Sequence, residues 1–328
     1  MIMPNALCTL RPHFSPTTTT MSLTSTQSLR SDPSTFIPIH PFCNPKGADT
    51  ILRSSDGVDF YVLRDILSLV SPIFETMFQL PQPNGGSEIP VVVLQERAAQ
   101  LEMALRFFYP GALRSSPATI RELKQVIDLL ISKYDMQSLV PSMRQQLERF
   151  QISQPLSVYA IAWTYRWKDV AVAAAKETLK HPLRAPNTEA PPELEDLPAA
   201  AYHNLIHYHS CCGQAAQTTI NSYTIWEDYA KVVTSVYNKV CLQHSPGIVK
   251  FGQEERLAPL WIATYIRVTG LLLSITPETN IYDQSTIYSA LSNGTCAKCN
   301  QLDELVKVLK VNFPQTLRKE MDKIELKF

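Results

Sequence analysis

The sequence predicts an α+β domain followed by an all-helical region. Residues 50–53 and 59–64 are predicted to be two short strands around Ser54-Ser55-Asp56-Gly57, where the Asp-Gly pair supplies the positive-φ corner of a hairpin. The apolar run Ile89–Leu94 predicts a third strand. From Pro155 to the end of the chain, apolar residues recur only at helical spacing, which predicts helices throughout.

About five helices accompany the three strands. They are predicted over 65–69, 72–80, 97–109, 119–134 and 139–150. The first two are separated at Ser71-Pro72, because proline lacks an amide and disfavours helical backbone in the residue before it. Thr119 and Glu122 have the spacing of a reciprocal capping box. We therefore expect a domain with a short three-stranded sheet and about five helices over residues 40–150.

The remainder of the chain is expected to hold a helical region and a disordered tail. Over residues 151–328, helices are predicted at 155–166, 168–180, 196–213, 224–240, 257–275, 284–292 and 301–327. The loop 181–193 contains four prolines and is predicted to be an exposed connection. Residues 1–35 are rich in Ser, Thr and Pro, and bury too little apolar surface to offset their ordering entropy, so we expect a disordered tail there.

The composition excludes several classes of function. Thirty Lys and Arg balance 30 Asp and Glu, whereas binding to nucleic acid or to an acidic membrane needs a surplus of positive charge. The ten glycines form no phosphate-cradling or nucleophile-elbow pattern, and H-E-x-x-H is absent. No secretory segment or membrane span is apparent. We expect a non-enzymatic protein of the cytoplasm or nucleus that binds neither nucleic acid nor membrane.

Residues 49–78 carry the pattern that suggests a family. They read D-T-I-L-R-S-S-D-G-V-D-F-Y-V-L-R-D-I-L-S-L-V-S-P-I-F-E-T-M-F, and the segments Leu105–Pro110 and Lys133–Met136 follow. Together they resemble the opening and the next two landmarks of a BTB/POZ domain. Over about residues 40–328, including Val158–Ala162, the chain is similar to BTB-domain proteins abundant in mushroom-forming fungi. The resemblance implies a BTB/POZ fold over 40–150 and a helical companion region over 151–328.

The resemblance also implies a function and a surface. The chain is expected to be a protein–protein interaction module, acting as a scaffold or regulator of unknown partner through BTB-mediated self-association. Asp49 and Arg64 are expected to form a charged pair lining the partner-binding groove; the alternative is a strand-start Asp and a surface Arg that contribute little. A substrate adaptor of a cullin-type ubiquitin ligase is the alternative function, although the loop Pro110–Ala118 lacks the Glu of the adaptor element. Phe36–Ala48 holds four Pro and Gly residues, so it is not expected to supply the extra helix of a domain-swapped dimer.

Five of the seven cysteines lie in the C-terminal half of the chain. An odd number of cysteines without an export signal favours free thiols or metal ligands over disulfides. A closed structural zinc site would use four ligands: His209, Cys212, Cys296 and Cys299. Cys296 and Cys299 form a C-x-x-C pair, and His209 and Cys212 share one helix face.

Other interpretations of these cysteines stay open. Cys241 is a substitute for His209 as a ligand, and a redox C-x-x-C is a further reading. Buried cysteines also act as small apolar residues, with His209 in a core hydrogen bond. The pair His203 and His207 is expected to face solvent on its helix; the alternative is a metal-binding pair, because the two residues stand four apart. No cofactor other than this zinc is predicted.

Overall fold

The structure is a computed structural model that describes residues 36–80, 89–112, 117–183, 189–222, 225–227, 246–251, 254–282 and 301–328. The chain divides into two compact units, with the boundary between Gln146 and Leu147. The first unit is α+β and the second is mainly helical, which confirms the predicted fold class. The predicted tail over residues 1–35 lies outside the described residues.

The first unit contains a three-stranded sheet. Strand β1 (Thr50–Arg53) lies in the middle, with β2 (Asp59–Val62) antiparallel on one side and β3 (Val91–Val93) parallel on the other. Gly57 has a φ of 82°, so the Asp-Gly corner forms the predicted hairpin turn between β1 and β2. The strands alternate as a half-buried sheet requires, because Leu52 is buried in the core whereas Arg53 is exposed.

The described part of the first unit also contains four α-helices and most of a fifth, which ends two residues beyond the boundary. They are α1 (Arg64–Val70), α2 (Pro72–Gln79), α3 (Ala98–Leu105), α4 (Ile120–Ile127) and α5 (Val140–Glu148). The capping box of α4 is formed as predicted: the Glu122 amide donates to Thr119 Oγ1 over 3.2 Å, and the Thr119 amide donates to the Glu122 carboxylate over 3.3 Å. The predicted single helix 119–134 changes after Ile127 into a π-helical turn over Asp128–Lys133.

The segment before β1 packs onto the first unit without forming a helix in its described part. Phe42 is fully buried, with ring centroids 6.1 Å from Phe60 and 5.1 Å from Tyr109. The Ile39 amide donates to the carboxylate of Glu102 over 2.8 Å. Residues 36–48 are therefore held by their own domain, in agreement with the expectation that they form no helix for domain swapping.

The second unit is built mainly from helices. They are α6 (Pro155–Thr164), α7 (Lys168–Thr178), α8 (Ala199–Ile220), α9 (Leu260–Ile275) and α10 (Gln301–Met321). These confirm most of the predicted helices, and α8 extends seven residues beyond the predicted end at 213. The predicted helix 284–292 and most of 224–240 lie outside the described residues. Across the described part of the chain, we find no helix with the length and hydropathy needed to cross a membrane.

One prediction for the second unit is wrong. Strands β4 (Pro246–Phe251) and β5 (Glu254–Pro259) pair antiparallel, so this region is not helical throughout. The predicted helix 257–275 therefore begins only at Leu260. The sequence contains two signals for this hairpin: the β-branched pair Ile248-Val249, and the Gly-X order of Gly252-Gln253, which is typical of two-residue hairpin loops.

Candidate interaction surface

The start of α1 is held by side chains from elsewhere in the first unit. Leu63 occupies the N-cap position of α1 and has no side-chain oxygen to accept a helix amide. Asp49 Oδ1 accepts the Arg64 amide over 2.8 Å, and the Tyr109 hydroxyl accepts the Leu63 amide over 2.9 Å. Asp49 directly precedes β1, so α1 is capped by a residue that is distant from the helix in sequence.

Asp49 and Arg64 are in contact, but the contact is the hydrogen bond from the backbone amide of Arg64 to the Asp49 carboxylate. No ion pair joins these two side chains, both of which are described. The guanidinium of Arg64 lies instead over the ring of Phe78, with its carbon 5.1 Å from the ring centroid. Its Nε is buried without a hydrogen-bond partner in the described structure. The predicted role of the two residues in binding a partner stays a prediction.

Two of the sequence landmarks contact each other in the core. Ser71 caps α2, since its Oγ accepts the Phe74 amide over 3.1 Å, and the same Oγ donates to the carbonyl of Tyr134 over 2.6 Å. The rings of Phe74 and Tyr134 stack at 4.6 Å. The start of α2 at Ser71-Pro72 and the Lys133-Tyr134 segment therefore pack against each other.

Glu96 completes this arrangement and was not singled out from the sequence. It is 9 % exposed, and it accepts hydrogen bonds from the Tyr134 hydroxyl over 3.0 Å and from Lys133 Nζ. Burial, followed by the charge of Glu96, raises the pKa of Tyr134. Nothing in the sequence around Glu96 distinguishes it from a surface carboxylate, because its two partners lie 37 and 38 residues further along the chain.

Residues 40–151 match the family model of the BTB/POZ domain. The chain contains a BTB/POZ domain. No curated protein matches the chain. BTB/POZ is a family of protein-interaction domains that are not typically enzymatic, so the chain carries a protein–protein interaction module.

The BTB/POZ domain exposes several large apolar side chains. Among its described residues these are Leu63, Leu69, Ile73, Leu80, Val91 and Val93. Leu69 is 86 % exposed at the end of α1, and Ile73 is 43 % exposed at the start of α2. Val91 and Val93 lie on β3, at an edge of the sheet. A contiguous exposed apolar patch marks a surface that other proteins cover, whereas single exposed apolar side chains are ordinary in folded proteins.

The second unit holds two of the four predicted zinc ligands. His209 is 6 % exposed, and its Nε2 lies 3.2 Å from the carbonyl oxygen of His181. Burial lowers the pKa of His209, and the hydrogen bond to His181 opposes that shift. Cys212 is fully buried, and burial raises the pKa of its thiol to about 11. Both groups therefore occupy positions in the core of the helical unit.

The described residues do not test the predicted zinc site. Cys296, Cys299 and Cys241 lie outside the described residues, and within the described ranges no group of three or more His, Cys, Asp and Glu side chains is placed to hold a metal ion. Cys211 and Cys212 are free thiols. Cys43 is disulfide-bonded, so the expectation of free thiols or metal ligands is wrong for this residue.

Proposed function

We propose that the chain is a non-enzymatic scaffold or regulator that self-associates through its BTB/POZ domain. The exposure of Leu69 at the end of α1 and of Ile73 at the start of α2 is the observation that carries this proposal. In the same proposal the helical unit recruits a second partner, and the protein works in the cytoplasm or nucleus. The motifs shared with BTB-domain proteins of mushroom-forming fungi support a fungal origin.

The physical argument for self-association rests on apolar burial and charge. Covering one large aliphatic side chain stabilises a complex by about 1.5–3 kcal/mol before the costs of association. A few such side chains on each copy therefore supply a substantial part of the binding free energy of a complex with a micromolar dissociation constant. The formal net charge is zero, so two copies of the chain do not repel each other at long range.

Light scattering coupled to size-exclusion chromatography of the full chain, at several concentrations, tests the proposal. We expect a dimer or a larger assembly that Leu69→Lys shifts toward the monomer. The matched control is Ile152→Lys, because Ile152 is also a strongly exposed aliphatic residue, at 75 %, but lies outside residues 40–151. A wild-type chain that stays monomeric at every concentration contradicts self-association. An assembly insensitive to Leu69→Lys contradicts the surface around Leu69 as its interface.

The second candidate function is a substrate adaptor of a cullin-type ubiquitin ligase. It rests on the BTB/POZ domain, and the lack of a Glu in residues 110–118 counts against it. Co-purification of the tagged chain with a cullin supports this function. Absence of a cullin from the purified sample, with the chain itself folded, removes it.

A further inference from the structure

Helix α8 carries a second set of metal-ligating side chains, on the side away from the core. His207 is exposed and Cys211 is partly exposed, and they stand four residues apart on consecutive turns. The Cys211 Sγ and the His207 Nε2 lie 3.6 Å apart. His209 and Cys212 on the same helix are buried, so the two pairs lie on different faces of α8.

The distance between these two atoms matches that of two ligands on one zinc ion. Zinc binds sulfur at about 2.3 Å and imidazole nitrogen at about 2.0–2.1 Å in tetrahedral sites. Two bonds of these lengths at a tetrahedral angle place the sulfur and nitrogen about 3.6 Å apart. His207 and Cys211, which the structure places in hydrogen-bond contact, therefore already hold the separation that chelation requires.

The chemistry of the pair selects a borderline-soft cation. Thiolate and imidazole favour Zn²⁺ and related transition-metal ions, whereas Mg²⁺ and Ca²⁺ prefer oxygen ligands. Residues 199–220 contain no Lys, Arg, Asp or Glu, so α8 itself carries neither an ammonium that repels a cation nor a carboxylate that competes for it. The exposure of the pair leaves room for water to complete the coordination of the ion.

We propose that His207 and Cys211 form a two-ligand surface site for Zn²⁺ or a similar divalent transition-metal ion. On binding, the Cys211 thiol loses its proton to solvent, the Sγ and the neutral His207 Nε2 each donate a lone pair to the metal, and two waters fill the remaining positions. The site is distinct from the buried His209 and Cys212, and it is independent of the proposed self-association.

Titration of the reduced full chain with Co²⁺ tests the site, because a thiolate bound to Co²⁺ gives charge-transfer absorption that imidazole alone does not give. We expect this absorption for the wild type and its loss in Cys211→Ser. His207→Gln should weaken Co²⁺ binding by about tenfold or more, whereas His203→Gln, one turn earlier on the same exposed side, should leave it unchanged. Zn²⁺ should displace Co²⁺ and bleach the absorption.

Alkylation followed by peptide mass mapping gives an independent readout. Zn²⁺ should protect Cys211 from an alkylating reagent, and this protection should disappear in His207→Gln. The proposal is overturned if no thiolate absorption develops, or if Cys211→Ser leaves the intensity of the absorption unchanged. Persistence in Cys211→Ser together with loss in Cys212→Ala would instead assign the metal to the buried His209 and Cys212.

Discussion

Asp49 has a structural task in addition to the binding role suggested by its position. Its carboxylate accepts the Arg64 amide at the start of α1, where Leu63 offers no capping oxygen. We expect Asp49→Ala to destabilise the BTB/POZ domain by about 1 kcal/mol, the usual cost of losing a helix N-cap. Urea unfolding of the purified variant against the wild type measures this change in the free energy of unfolding.

The variant Asp49→Asn separates the two roles of this residue. An asparagine oxygen still accepts the Arg64 amide, so we expect stability close to that of the wild type. If the negative charge of Asp49 also binds a partner, Asp49→Asn should weaken association while the domain stays stable. Equal free energies of unfolding for Asp49→Ala and the wild type would show that the hydrogen bond from the Arg64 amide to Asp49 does not stabilise the domain.

His209 gives the helical unit a pH dependence of known sign. Burial lowers its pKa in the folded chain below the ordinary value of 6.5 that applies to the unfolded chain. Between these two values the unfolded state binds more protons, so the stabilisation is fully present above pH 6.5 and is lost as the pH falls through the lowered pKa. We expect the melting temperature of the wild type to drop between pH 7 and pH 5.

Two histidine substitutions isolate this contribution to the pH dependence. His209→Gln replaces the imidazole by a neutral amide that still donates to the His181 carbonyl, so its stability should depend less on pH than that of the wild type. His203→Gln, at an exposed position of α8, should retain the wild-type dependence. Identical pH profiles of His209→Gln and the wild type would assign the acid sensitivity to another group.

At the scale of elements, two glycines provide a matched pair for the packing of α8 against α9. A Cβ on Gly213 would lie 2.5 Å from the backbone oxygen of Ser274, whereas a Cβ on Gly270 would meet nothing closer than 3.5 Å. We expect Gly213→Ala to destabilise the helical unit by about 1–3 kcal/mol, because α8 and α9 must separate. Gly270→Ala should be neutral or stabilise by up to about 1 kcal/mol through helix propensity. Thermal unfolding of both variants tests this contrast, and equal effects would contradict the close approach at Gly213.

The elements also show what sequence patterns reveal and what they miss. The β1–β2 hairpin and the cap of α4 were predictable because their signals are local: Asp56-Gly57 and Thr119 with Glu122 act within four residues. The β4–β5 hairpin was missed although Gly252-Gln253 is a local signal. The end of β5 runs directly into the apolar stretch of α9, and the helix was therefore predicted from residue 257 onward. The π-helical turn after α4 has no signal of its own, since the same apolar spacing suits an α-helix.

The candidate sites depend on contacts that are distant in sequence, which limits their prediction. Sequence similarity drew attention to Asp49 and Arg64, but the partner of each was decided by the fold: a backbone amide for Asp49 and the Phe78 ring for Arg64. His209 and Cys212 were predicted to share a helix face as zinc ligands; both are buried, and their binding of zinc stays a prediction. The proximity of Cys211 to His207 follows from their spacing of four residues on α8. Their position on the exposed side depends on the rotation of the helix, which apolar periodicity fixes too loosely to choose among adjacent residues.

At the scale of the whole molecule, each of the two units has a core of its own. Phe60, Leu123 and Leu130 are buried in the first unit, whereas Tyr159 and Leu205 are buried in the second. A unit with its own core is expected to unfold as a separate cooperative step. A single free energy of unfolding therefore does not describe this chain, and each substitution should act on the step of the unit that contains it.

Differential scanning calorimetry of the full chain makes this a test. We expect two transitions, with Asp49→Ala lowering one midpoint and Gly213→Ala lowering the other, because Asp49 holds α1 and Gly213 faces Ser274 of α9. Substitutions in separate cooperative units also have additive effects, so the double variant should show both shifts unchanged. A single transition that either substitution lowers would mean that the two cores unfold together, and the BTB/POZ domain would then draw its stability from the helical unit as well as from its own core.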